Sequence, residues 1–176
     1  MEKKLFALLL GSLLGLAGCQ KPVEYPIEPQ ITYQGFCYLV DADSTLSGEG
    51  ILSLGYTDGD GDLGLDDDDK AYPFGSGDPF YYNLIVEYMK WNGSTFEVTP
   101  MLSWNQQTQS FDTISFNARF KRLIDGDEPK AISGTIDYTM SLRNPYAPHD
   151  TLKLRVHLID RALHESNCIE TEIITF

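Results

Sequence analysis

The stretch "AISGTIDYTMSL", residues 131–142, alternates apolar and polar side chains from Ile132 to Leu142. A period of two places successive side chains on opposite faces of an extended chain, so the segment reads as a half-buried β-strand. The period recurs in "TLKLRVHLID": Leu152, Leu154, Val156 and Leu158 share one face, Lys153, Arg155 and His157 the other. "YYNLIVEYMKWNGSTFEVTP" holds Asn92-Gly93 between two β-rich runs, the signature of a hairpin with a two-residue turn. Further strands are expected at 31–40, 49–57, 111–118 and 168–175, and no window carries a sustained helical period. About seven or eight short antiparallel strands over residues 30–176 predict an all-β domain. An immunoglobulin-like β-sandwich is the first choice and a jelly roll the alternative.

The 176 residues suffice for one such domain with a real core. Residues 1–18 stand apart from it. "MEKKLFALLLGSLLGLAGC" begins with Lys3 and Lys4, runs apolar from Leu5 to Leu16, and closes on Ala17 and Gly18 before Cys19. That layout is a secretory signal peptide, too short and wrongly flanked for a spanning helix. The ending "LAGC" resembles the lipobox of bacterial lipoproteins, which implies lipidation of Cys19, loss of residues 1–18 and acylation of the new amino terminus. Each buried methylene contributes about 0.8 kcal/mol, so several acyl chains anchor a protein to the outer membrane without a spanning helix. Residues 19–29, "CQKPVEYPIEP", then form an extended Pro-rich tether.

Residues 1–18 carry one acid and two bases, so their loss takes the formal net charge from -13 to -14. This balance argues against nucleic acid as a partner and against electrostatic attraction to anionic lipid, and it favours cations. An exported context permits a disulfide between Cys37 and Cys168, which would staple the first strand to the last. Two separate half-buried thiols are the alternative.

The acidic run is the candidate destination for cations; a mobile, hydrated acidic loop is the alternative reading. "YTDGDGDLGLDDDD", residues 56–69, contains seven aspartates. In a sandwich, the loop after the second strand and the loop before the last strand fall at one pole. Asp160, just off the end of "TLKLRVHLID", is therefore expected to face Asp58, Asp60 and Asp62. Clustered carboxylates need a counter-charge, and hard oxygen ligands at alternate positions suit Ca2+. Set against the calcium loop D-x-[DN]-x-[DN]-G, Asp58, Asp60 and Asp62 take positions one, three and five. Gly64 would offer a carbonyl at seven, Asp66 a carboxylate at nine, and Asp69 falls at twelve. Leu63 stands where that motif has glycine, and no helices flank the loop, so it is calcium-loop-like without being an EF-hand. "DDDD" (Asp66 to Asp69) reads as its solvated extension.

"YTDGDGDLGLD" together with the ending "LIDRALHESNCIETEIITF" resembles a group of Bacteroidota lipoproteins that pair a "DGDGDIG"-type loop with a terminal "DRA…SN…ET" segment. The resemblance implies an immunoglobulin-like sandwich and an envelope location, and it implies no activity. The expected function is non-catalytic binding or assembly by a lipid-anchored, Ca2+-binding domain. The alternative is a glycan-binding accessory lipoprotein of a nutrient-uptake system, motivated by "AYPFGSGDPFYY" with Trp91 and Trp104, whose rings can stack on sugars. The chain shows no nucleophile motif, zinc-ligand spacing or phosphate-binding glycine loop, and His149, His157 and His164 are scattered.

Overall fold

The computed structural model describes residues 23–40, 46–126, 128–141 and 151–175, and its regular elements are all β-strands. The signal peptide, Cys19 and His149 lie outside the described residues. In chain order the strands are β1 (Gln30–Val40), β2 (Leu46–Asp58), β3 (Leu84–Trp91), β4 (Phe96–Val98) and β5 (Met101–Asn105). They continue with β6 (Ser110–Ile114), β7 (Ile132–Ser141), β8 (Thr151–Leu158), β9 (Ile169–Glu170) and β10 (Ile174–Thr175). One sheet has the order β1-β2-β7 and the other β10-β8-β3-β4, with β9 also paired to β8. β5 and β6 form a separate hairpin. Taking β1, β2 and β7 as strands A, B and E, and β3, β8 and β9–β10 as C, F and G, gives the partition of an immunoglobulin sandwich.

The strand count departs from expectation for local reasons. The last strand is split, because Thr171 turns its side chain inward: Leu154 N–H donates to Thr171 Oγ1 at 3.0 Å. "MLSWN" pairs with "SFDTI" as an unforeseen hairpin. Its loop contains no glycine; Gln109 takes the left-handed backbone (φ 51°) that glycine usually fills. The Asn92-Gly93 turn also differs from the two-residue form. Trp91 pairs with Phe96, so the loop has four residues, and Asn92 Oδ1 accepts from the Ser94 and Thr95 amides at 2.9 and 3.0 Å. An asparagine that caps its own loop competes with the tighter turn.

The core forms where the inward rows of the two sheets meet. Leu52 and Leu54 of β2 face Leu152, Leu154, Val156 and Leu158 of β8, all at most 2% exposed, with Ile31, Leu84, Val86, Met140 and Ile174 completing the layer. A bulge in β1 reverses its alternation: Tyr33 pairs with Leu54 and Gly35 with Ser53, leaving Gln34 as an extra residue. Ile31 and Tyr33 therefore pack inward on one side of the bulge, and Phe36 and Tyr38 on the other.

That reversal bears on the cysteines. With an unbroken period, Cys37 would have shared the inward face of Ile31 and Tyr33; the bulge turns it outward. Cys168 precedes β9 on the other sheet and is also exposed. The two are free thiols, and the anticipated Cys37–Cys168 disulfide is not formed. The sandwich is held by apolar packing instead, which gives a direct check. Leu154→Ala, at a site with no exposure, is expected to lower the unfolding free energy by about 2–5 kcal/mol. Urea denaturation should show this as a lower midpoint with an unchanged slope.

Candidate metal centre

Asp58 is the last residue of β2 and continues the inward row of Leu52 and Leu54. Asp160 follows β8 and continues the inward row of Leu154, Val156 and Leu158. Strand periodicity thus carries two carboxylates, one from each sheet, to the same end of the core; their exposures are 0% and 1%. Asp60 and Asp62 lie in the loop that follows β2. One oxygen each from Asp58, Asp60 and Asp62 can be chosen so that all three lie within 4.8 Å of one another. Ionised carboxylates at such separations repel by roughly 3 kcal/mol per pair at an effective dielectric of about 20. Among the described residues, neither oxygen of Asp58, nor Oδ1 of Asp60 or Asp62, has a protein partner of hydrogen-bonding geometry, although all four are buried.

The glycines of "DGDGDLG" are explained by what presses on the loop. A Cβ on Gly61, which has φ 76°, would stand 2.3 Å from the Lys130 carbonyl oxygen. On Gly64, with φ 95°, it would stand 2.4 Å from the carbonyl oxygen of Lys121. Hydrogen bonds Leu65 N to Phe120 O (3.1 Å) and Lys130 N to Asp60 O (2.9 Å) hold the loop against these segments. Asn83, itself buried, clamps the same region through Phe120 N to Asn83 Oδ1 (2.8 Å) and Asn83 Nδ2 to Phe120 O (2.9 Å).

The two sequence motifs meet in space. The Ala162 amide donates to Asp62 Oδ2 at 2.9 Å, and Arg161 donates to Asp69 Oδ1 at 2.9 Å. Ser166 Oγ accepts from Leu158 N, and Asn167 makes paired bonds to the Ile31 backbone. The anticipated convergence of the two loops is therefore present, but the ligand set is smaller than the sequence implied. Asp160 is outside the three-oxygen group: its Oδ1 accepts the His164 amide and its Oδ2 contacts His164 Nδ1, both at 2.8 Å. Asp66 pairs with Arg122 at 3.3 Å and Arg161 at 3.8 Å. Gly64 has a packing reason for its place, and Asp69 accepts from the Asp66 amide as well as from Arg161.

"DDDD" is likewise only half solvated, with Asp67 and Asp68 exposed and Asp66 and Asp69 built into an arginine frame. Arg119 lies at its centre. It donates to the carbonyls of Asp66, Asp69, Phe74 and Tyr81 at 2.9 to 3.2 Å and stacks over the Tyr81 ring. Sequence reasoning missed Arg119, Arg122 and Arg161 as partners of the acidic run; basic side chains in "FNARFKRL" and "DRAL" were the available signal. Beside the cluster is a cavity of about 360 Å³ lined by Asp60, Asp62, Arg122, Arg161, Glu128 and Phe74, among others.

Burial, then the Asp60 and Asp62 charges, push the Asp58 carboxyl up to about 6; the nearby Leu63 amide, too poorly aligned for a hydrogen bond, offsets part of this and Asp160 adds to it. Burial, then Asp160 and Asp60, push Asp62 up to about 6 against the Ala162 amide and His164. The hydrogen bond and charge of Asp160 raise His164 above the usual imidazole range. The aromatic residues sit in separate pairs, Trp91 with Phe96, Trp104 with Phe111, and Tyr81 with Tyr82. Comparisons with protein families, with curated proteins and with solved structures find no match to this chain.

The raised carboxyls define a pH response. Asp58 and Asp62 hold a proton more tightly folded than unfolded, so metal-free stability increases as pH falls through about 6 and is lost as pH rises through it. His164 acts in the same direction. Thermal melts in chelator should show a higher Tm at pH 5 than at pH 7, and Asp58→Asn should flatten that difference.

Proposed function

We propose that the protein is a lipid-anchored lipoprotein of the outer membrane whose immunoglobulin-like domain binds Ca2+ and serves non-catalytic binding or assembly. The observation that carries the metal reading is the Asp58 carboxylate, wholly buried with neither oxygen hydrogen-bonded among the described residues, beside Asp60 and Asp62. A buried carboxylate without hydrogen bonds is costly unless it is protonated or faces a cation. Three oxygens within 4.8 Å of one another share a point no more than about 2.8 Å from each, close to the 2.3–2.6 Å typical of Ca2+. An all-carboxylate donor set favours a hard cation over zinc. Ca2+ accepts six to eight oxygens, so three aspartates leave positions for backbone carbonyls, water or a partner's oxygens. This incomplete shell supports recognition over a purely structural role. The lipid anchor rests on "LAGC" and the apolar run before it.

Calorimetric titration of the metal-free domain with Ca2+ tests the reading. Wild type should bind with Kd of about 10⁻⁴–10⁻³ M, as extracellular calcium modules do. At about ten times Kd, the ion should add about 1.4 kcal/mol to the unfolding free energy, read as a higher Tm. Asp58→Asn keeps the shape and should abolish the binding heat. A wild-type protein with neither heat nor Tm rise at millimolar Ca2+ would contradict the metal site.

A further inference from the structure

Residues 25–29 of the chain dock on the acidic loop. Pro29 is fully buried, and Ile31 is fixed by Asn167 Oδ1 at 2.7 Å and Asn167 Nδ2 at 2.9 Å. Further out, a Cβ on Gly59 would stand 2.4 Å from the Tyr25 carbonyl oxygen and 2.6 Å from that of Pro26. The tether backbone therefore lies directly on "DGDGD". Only five residues lie between Cys19 and Tyr25, and the six steps reach at most about 22 Å. The opposite pole, marked by the Asn92–Thr95 turn, is further away by the eight residues of β3, about 27 Å.

The side chains at the tethered pole fit a bilayer surface. Val23 and Ile27 of the tether, Tyr72 of the loop after β2 and Leu163 of the loop after β8 are large, apolar or aromatic, and exposed. Leu163 is held there by a left-handed backbone (φ 69°), a conformation that costs energy for leucine and keeps its side chain outside the core. We propose that this acidic pole is the face the domain turns toward the membrane that holds its own lipid anchor. The proposal rests on the anchoring of Cys19 put forward above. With a net charge of -14 after loss of residues 1–18, the chain is not drawn to anionic headgroups. The tether and the four apolar side chains supply the approach, and a cation on Asp58, Asp60 and Asp62 removes part of the repulsion within a Debye length of the surface. The rival face carries the Trp91–Phe96 pair at the far pole. The anchor reaches it only by spanning the domain, which its length does not allow.

The test uses the full-length lipidated protein in phosphatidylethanolamine–phosphatidylglycerol vesicles with millimolar Ca2+ throughout. Cys37→Ser and Cys168→Ser clear the exposed thiols, and a fluorophore is placed through Asp68→Cys or Ser94→Cys, both exposed positions. Acceptor-labelled headgroups should quench the Asp68-site label about twofold or more beyond the Ser94-site label, given poles about 27 Å apart. Equal quenching, or stronger quenching at the Ser94 site, overturns the orientation while leaving the anchor intact. Flotation with the vesicles, with Cys19→Ser as control, reports the anchor separately. A wild-type chain that fails to float removes the anchor reading and the orientation with it.

Discussion

Two inward rows of side chains, one on each sheet, run past the end of the apolar core and finish in carboxylates. On β2 the row is Leu52, Leu54, Asp58, and on β8 it is Leu154, Val156, Leu158, Asp160. The strand period that buries the leucines also buries the aspartates, so burial of charge here is a geometric consequence of building the core. The surrounding chain is arranged around that consequence. Asp160 is satisfied by His164, whereas Asp58 has no well-aligned hydrogen bond among the described residues and is joined by Asp60 and Asp62. One end of the sandwich thereby carries an electrostatic demand that the described residues do not meet.

The loops that frame this demand are rigid by construction. Asn83 clamps the 118–120 segment, Asn167 clamps the start of β1, and Arg119 gathers four carbonyls of the loop after β2. Each does the work of a strand where no strand continues, satisfying backbone groups that would otherwise be buried unpaired. A loop held in this way keeps carboxylates close despite their repulsion, which a freely hydrated acidic run would not do. The glycines between the aspartates serve the same end, letting the Lys121 and Lys130 backbones come into contact with the loop.

The fold was largely legible because its signal is local. Alternation in "AISGTIDYTMSL" and "TLKLRVHLID" requires only neighbouring residues, and both segments are strands with the expected faces inward. What escaped notice were departures from period two. The β1 bulge reversed the side of Cys37, the Thr171 side chain split the last strand, and Gln109 made a hairpin without glycine. Each depends on a partner strand or on a backbone conformation that residue type only weakly specifies.

By itself the sequence determined that the chain forms an antiparallel sandwich and that its aspartates gather in one loop, since alternation and residue order are written along the chain. Only the tertiary structure decided which carboxylates stay free. Asp62 meets Ala162, 100 residues away, and Asp69 meets Arg161, 92 residues away. Such distant partners are invisible to spacing: arginines 56 and 92 residues away engage Asp66 and Asp69, while His164, four residues on, engages Asp160, and the three-oxygen group that is left comes from Asp58, Asp60 and Asp62. The physical reason is that a carboxylate's availability depends on who donates to it, and donors are delivered by folding.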